Sequence, residues 1–314
     1  MVTEPNIPRS DDDDVARGAA VPSRASRPTW RDWIAGARPR TLPAAVVPVA
    51  VGAAVGIPDG VSWWRVLGAL AVALALQVGV NYANDYSDGV RGTDDVRVGP
   101  MRLVATGTAS PGAVRSAALI ALGGAAVVGT VLAATTTWWL LAIGAAALLA
   151  AWGYTGGPRP YGYLGLGEIF VFVFFGLVAT AGTTYLAIGS IPRVSWIGAI
   201  GVGALACALL VVNNLRDIPT DEVAGKRTLA VRMGDRRTRA MYAVLMVGAF
   251  VCVAFCAGDR PWALLALAGV GAARDPIQKV LGGADGRDLV EVLGATGRTQ
   301  LVTGLLLAIG LALG

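Results

Sequence analysis

SAALIALGGAAVVGTVLAATTTWWLLAIGAAALLAAWGYTGGP, residues 116–158, runs for 43 residues without one Asp, Glu, Lys or Arg. A helix crosses the ~30 Å hydrocarbon core of a bilayer with about 20 mainly apolar residues. This stretch therefore holds two crossings, with TTTWW at 135–139 as the interfacial turn between them. Outward from it, charge-free runs recur at 41–58, 66–84, 169–192, 194–215, 240–258, 261–273 and 299–314. One such run fits a buried helix of a large soluble protein; eight in one chain do not. Backbone groups in lipid must be satisfied within their own segment, so the spans are expected to be helical. The 314-residue chain thus reads as an all-α integral membrane protein of about nine transmembrane helices. They fall near 41–58, 66–84, 115–134, 138–156, 167–187, 194–214, 240–258, 261–278 and 298–313, the eighth resting on the shortest run.

Basic residues orient the bundle. Twenty-three of the 26 Lys and Arg residues fall on one side of the predicted topology, in the amino tail and the 2–3, 4–5, 6–7 and 8–9 connections. Only Arg65, Arg193 and Arg260 fall on the other. Positive-inside bias makes the basic side, and the amino terminus, cytoplasmic. The expected location is the cell (inner or plasma) membrane, with multiple passes. Topology accounts for the net charge of +5, so no nucleic-acid partner is implied. Residues 1–30, with SDDDD at 10–14, read as a disordered cytoplasmic tail without a cleavable signal, and 31–314 as the transmembrane domain. Cys207, Cys252 and Cys256 lie inside spans of a chain with no histidine, and read as packing residues.

Polar chemistry gathers where apolar runs end on the cytoplasmic side. Span 2 ends in N-Y-A-N-D-Y-S-D-G-V-R-G-T-D-D (81–95), and span 6 in N-N-L-R-D-I-P-T-D-E-V-A-G-K-R-T (213–228). In each, an Asn stands four residues before an Asp (81/85 and 213/217), and a second Asp follows at i+3 or i+4 (Asp88, Asp221). Such spacings share one helix face. Carboxylates side by side repel unless a cation sits between them, and Mg²⁺ takes oxygen ligands while bridging carboxylates to a phosphate. Solvated loop acids are the plain alternative for either segment alone. Basic residues follow closely: Arg91, Arg97 and Arg102 after the first segment, Lys226, Arg227 and Arg232 after the second. Guanidinium groups grip phosphate in bidentate fashion, although each could equally be a topology or headgroup contact. A third connection, YTGGPRPYGYLGLGE (154–168), offers Tyr154, Arg159, Tyr161, Tyr163 and Glu168. Its aromatics suit either a developing cation or interfacial anchoring.

With ARPRTLPAAVVPVAVG (37–52) and GPRPYGYLGLGE (157–168), the two Asp-rich segments resemble the motifs of the UbiA-type intramembrane prenyltransferases over residues 37–314. Gly92 stands where the family's first motif often carries a further Asp, which makes Asp85 and Asp88 the safer ligands and Asp94 and Asp95 bystanders. The resemblance points to the branch acting on 1,4-dihydroxy-2-naphthoate in menaquinone synthesis. It implies that Asp85, Asp88, Asp217 and Asp221 hold Mg²⁺, as two ions, and are the catalytic set. Asn81, Asn84, Arg97, Arg102, Asn213, Asn214, Lys226 and Arg227 would bind the diphosphate of a polyprenyl donor. Candidates for holding the aromatic acceptor are Arg38, Arg40, Tyr154 and Arg159. The implied product is demethylmenaquinol, with loss of CO₂ and diphosphate, formed at a site facing the cytoplasm while the prenyl chain lies in the lipid-facing bundle. Rival readings are a sister enzyme using 4-hydroxybenzoate, homogentisate or haem, and a cation-coupled transporter. Acids confined to span ends weigh against transport, whose sites usually lie near the midplane.

Overall fold

The computed structural model describes residues 27–92 and 102–314; most of the expected tail, Arg97, Asp94 and Asp95 lie outside them. The described chain is built from helices and short connections. The first helix, α1 (Trp30–Ala37), is opened by a capping box in which Thr29 and Asp32 bond reciprocally. A left-handed residue, Arg38 (φ 54°), ends it. A short 3₁₀ turn, Pro39–Thr41, leads into α2 (Pro43–Gly56), and the two limbs are bent by 54°. The Tyr82 hydroxyl donates to Trp33 O (2.7 Å), tying α1 to the long helix Trp63–Val90.

Then follow α3 (Trp63–Val90), α4 (Pro111–Ala134), α5 (Trp139–Gly153), α6 (Gly167–Val171), α7 (Ala179–Ile188), α8 (Arg193–Val223), α9 (Leu229–Met233), α10 (Asp235–Cys256), α11 (Val270–Leu281) and α12 (Gly286–Leu313). A π-helical stretch, Phe172–Val178, joins α6 to α7, so that Gly167–Ile188 forms one span. Among the described residues six helices are long and apolar enough to cross a membrane: α3, α4, Gly167–Ile188, α8, α10 and α12. Three other expected crossings coincide with shorter pieces. These are α2 in its bent pair, α5 with 15 residues, and a 3₁₀ segment Pro261–Gly269 running into α11. At 1.5 Å per residue α5 reaches only about 22 Å. TTTWW forms the expected turn between α4 and α5.

The central helix is α8, packed by α2, α7, α10, α12 and the π-helical stretch. One apolar cluster joins α2, α8, α10, the 3₁₀ segment and α12 through Val51, Val202, Val253 and Leu307. Another joins α2, α3, α4 and α7 through Val49, Val66, Leu132 and Leu186. Lipid gives no hydrophobic drive between helices, so close approach over small residues supplies the attraction. A Cβ on Gly176 would come within 2.6 Å of Gly203 Cα, and one on Gly52 within 2.3 Å of Thr180 O.

Two helices outrun their expected ends. Expected to stop near 84, α3 continues to Val90, and α8 runs past 214 to Val223 with Pro219 inside it. A charge-free window registers only the part of a helix that lies in lipid. Beyond it the buried acids are met by cations and backbone donors, so helix formation continues through both motifs.

Candidate functional site

Because the helices continue, Asn81, Asn84, Asp85 and Asp88 stand on one face of α3, and Asn213, Asp217 and Asp221 on one face of α8. All but Asn213, which is half-buried, are buried. All of them except Asp85 line a cavity of about 1020 Å³. Its polar end is walled by Asn84, Asp88, Arg102, Asn214, Asp217, Asp221 and Lys226, with Arg38, Asn81, Tyr154 and Asn213 also on its wall. The remainder is apolar, running past Leu76, Leu148, Phe170, Phe174 and Tyr185 to Trp139 at the start of α5 and Ile191 in the connection between α7 and α8. The short α5 forms one wall, packing on α3 and α4.

Lys226 joins the two motifs. Its Nζ donates to Asp88 Oδ1 at 3.2 Å and lies 3.9 Å from Asp221 Oδ1. It also sits 4.6 Å above the centre of the Tyr163 ring. The Tyr163 hydroxyl donates to Asp88 Oδ1 (2.6 Å), and Arg102 approaches Asp88 Oδ2 at 3.6 Å. Burial alone would depress the Lys226 ammonium, but Asp88, then Tyr163 and Asp221, outweigh it and hold its pKa above the usual lysine value. Burial first, and then the Asp88 charge, push the Tyr163 phenol up. A protonated lysine and a neutral tyrosine therefore face Asp88.

Asp85 is held differently. It is buried off the cavity wall, where Leu103 N–H donates to Oδ2 (2.8 Å) and Val104 N–H to Oδ1 (3.1 Å). It pins the segment that carries Arg102. Asp217 is paired with the preceding residue, Arg216, whose Nε donates to Oδ1 (2.7 Å) while a terminal nitrogen donates to Asp217 Oδ2 (2.8 Å) and to Asn213 Oδ1 (2.9 Å).

The amides are oriented by their neighbours. Asn214 donates to Glu168 Oε1 (2.9 Å), which turns its carbonyl away from Glu168. Asn84 accepts from the Thr155 hydroxyl (2.7 Å), leaving its NH₂ to donate elsewhere. Asn81 is committed to the α1–α2 elbow, donating to Ala37 O (2.9 Å) and to the Thr41 hydroxyl (3.1 Å).

Of the acceptor candidates, Arg38 and Tyr154 line this cavity. Arg40 and Arg159 are exposed and lie off its wall, as does exposed Arg227. Tyr163, Thr155, Glu168 and Arg216 act at the site in ways the motif spacing did not disclose. The density of Tyr, Gly and Pro at 154–168 was the signal for the first three, and nothing in the sequence separates Arg216 from the other arginines.

Among the described residues no three His, Cys, Asp or Glu side chains already gather as a cage. The polar end nonetheless carries hard oxygen donors from two helices, carboxylates and amides, which is the donor chemistry of Mg²⁺. One ammonium spanning Asp88 and Asp221 shows that a cation is accommodated between them.

Comparison with known proteins gives a consistent answer. The model of the UbiA prenyltransferase family matches residues 45–274. The 1,4-dihydroxy-2-naphthoate octaprenyltransferase of Mycobacterium tuberculosis is 50% identical over 291 residues, covering 91% of this chain and 98% of that protein. Its counterpart in Mycobacterium leprae is 47% identical over 290 residues, covering 91% and 97%. Among solved structures, a UbiA homologue from Archaeoglobus fulgidus bound to DMAPP and Mg²⁺ superposes with a TM-score of 0.57 at 15% identity, over 88% of this chain and 99% of that one.

Proposed function

The chain belongs to the UbiA prenyltransferase family, and from that premise we propose that it transfers a polyprenyl group from polyprenyl diphosphate to 1,4-dihydroxy-2-naphthoate. The observation that carries this is the cavity itself, with acidic motifs of two helices joined by Lys226 at one end and an apolar tunnel behind them. A long amphiphile with an anionic head fits that division. Each CH₂ buried contributes about 0.8 kcal/mol, so the tail supplies much of the affinity.

Asp88, Asp217 and Asp221 would hold Mg²⁺, as two ions, which when bound would neutralise the diphosphate and make it a better leaving group; Asp85, which the motif spacing put in the same set, sits off the cavity wall and holds the segment that carries Arg102 instead. Lys226, Arg102 and the NH₂ of Asn84 donate to the diphosphate oxygens, with Arg97, Asn213 and Asn214 in support; Asn81, committed to the elbow, and Arg227, exposed off the cavity wall, fall outside that set. The allylic C–O bond breaks and diphosphate departs with the electron pair. Tyr154 and Tyr161, which meet edge to face at 5.5 Å, are on the cavity wall where ring faces stabilise the allylic cation. The ring carbon bearing the acceptor's carboxylate attacks that cation. The carbon–carboxylate bond then breaks, CO₂ leaves, and its electron pair restores the aromatic ring as demethylmenaquinol. No ring proton has to be removed, so the chain's lack of histidine is no obstacle. Arg38, at the elbow beside the polar end, is the leading candidate to hold the acceptor carboxylate until it departs.

On this reading the protein crosses the cell membrane nine times, residues 31–314 form one catalytic domain, and the amino terminus and site face the cytoplasm. The positive-inside pattern supports that orientation. The deciding experiment incubates purified protein with farnesyl diphosphate, Mg²⁺ and a panel of aromatic acids. CO₂ release with 1,4-dihydroxy-2-naphthoate and none with 4-hydroxybenzoate is expected; the reverse would assign a sister activity.

A further inference from the structure

A second cavity, of about 500 Å³, shares no lining residue with the first. It lies where the start of α2 meets α11 and α12, and is lined by Arg40, Lys279, Arg298, Asp275 and Glu291, with Leu301 on its wall. Its two carboxylates are occupied. Lys279 Nζ lies 3.3 Å from Asp275 Oδ2 and 3.9 Å from Glu291 Oε2. Arg40 and Arg298 face the same space with no hydrogen bond or ion pair among the described residues. The lining thus carries three cations against two carboxylates, and among the described residues both guanidinium groups stand without a side-chain partner around a cavity large enough for a headgroup.

Position specifies what kind of anion fits. In the predicted topology Arg40, Lys279 and Arg298 come from the amino tail and the 8–9 connection, both cytoplasmic, and the fold brings them together at one end of the bundle. Arg298 stands where the final apolar run begins, and Leu301 is one helical turn deeper. A ligand seated here has phosphate chemistry at the rim and hydrocarbon below it. Arginine grips phosphate with paired donors, and basic pockets between helices at the cytoplasmic surface recruit anionic headgroups.

We propose that this cavity is a binding site for the phosphate headgroup of an anionic membrane lipid, held by Arg40 and Arg298 with its acyl chain along Leu301. The site is separate from the prenyl-transfer cavity. It lies against α2 and α12, and Arg40 is two residues from the elbow residue Arg38, so an occupied site braces the limb from which Arg38 enters the central cavity.

The test uses delipidated full-length protein in neutral detergent and native mass spectrometry. Phosphatidylglycerol, phosphatidylcholine and inorganic phosphate are added separately. Wild type is expected to retain one phosphatidylglycerol and no phosphatidylcholine. Arg40→Gln and Arg298→Gln should each weaken retention about tenfold, the effect of one lost charge-assisted contact. Glu291→Gln, which removes a competing carboxylate, should strengthen retention. Arg298→Gln should leave turnover of farnesyl diphosphate within about twofold of wild type, as expected for an exposed substitution away from that chemistry. Equal retention of both lipids, or retention unchanged in Arg298→Gln, overturns the site. Displacement of phosphatidylglycerol by an equal concentration of inorganic phosphate overturns its assignment to a lipid.

Discussion

Asp85 and Asp88 are three residues apart on α3 and are used in different ways. Asp88 lies on the cavity wall under Lys226, Tyr163 and Arg102, whereas Asp85 accepts two backbone N–H groups from the segment beyond the motif. Asp88→Asn and Asp221→Asn are therefore expected to lower kcat/KM by at least about 100-fold, because on the proposed mechanism what they remove acts on departing charge. Asp85→Asn should lower the unfolding midpoint, since hydrogen bonds to a charged group are worth about 1.5–3 kcal/mol each. Circular-dichroism melts beside the activity assay measure both effects; an Asp88→Asn protein that turns over at wild-type rate would remove Asp88 from the site.

Lys226 adds a pH dependence whose sign is fixed. Its folded pKa stands above the ordinary 10.5, so its charge stabilises the fold fully below that value and ceases to do so as pH rises through the raised one. The stability gap between wild type and Lys226→Met should be constant at neutral pH and close on the alkaline side of 10.5. A gap that widened there would contradict the charge pairing.

At the level of elements, the cavity depends on how closely the π-helical stretch approaches α8. Gly176 and Gly203 permit that contact, and a Cβ at Gly176 also meets Ala199 O at 3.0 Å. Gly176→Val must push Gly167–Ile188 off α8, at a cost of about 1–3 kcal/mol for an overpacked interface. A lower melting temperature in detergent, with a raised KM for the prenyl donor, is expected. Gly248→Val is the control, since a Cβ there meets nothing within 4 Å and the residue lies off the cavity wall. Both motifs show the same logic in helical form. Each stays regular past its lipid-embedded part because neighbouring elements satisfy its polar groups: the elbow meets Asn81, the Thr155 loop meets Asn84, and α6 meets Asn214.

For the whole molecule, donor binding and Mg²⁺ should act together, because the polar end combines carboxylates with cations that need a common partner. Chelation with EDTA is expected to abolish turnover, and Mg²⁺ to restore it. Adding farnesyl diphosphate with Mg²⁺ should raise the unfolding temperature, with about 2.7 kcal/mol of stabilisation at 100 times the dissociation constant. Farnesyl diphosphate after EDTA should give little of that shift; an equal shift would show that the cations of the chain alone hold the diphosphate.

The sequence by itself determined the helical class, the positions of the apolar segments and the identity of the two acidic motifs. Those properties are local: charge-free length reports lipid exposure, and spacings of three and four report a shared helix face. Lys226 was legible as a basic residue behind the second motif, but not as the bridge to Asp88, 138 positions earlier in the chain. Tertiary structure alone decided that Asp85 pins a loop, that Tyr163 reaches Asp88, and that Arg38 and Arg40, two residues apart, line different cavities. Each of those outcomes depends on which helices pack together and at what rotation, and the partners lie too far apart in sequence for any local spacing to record them.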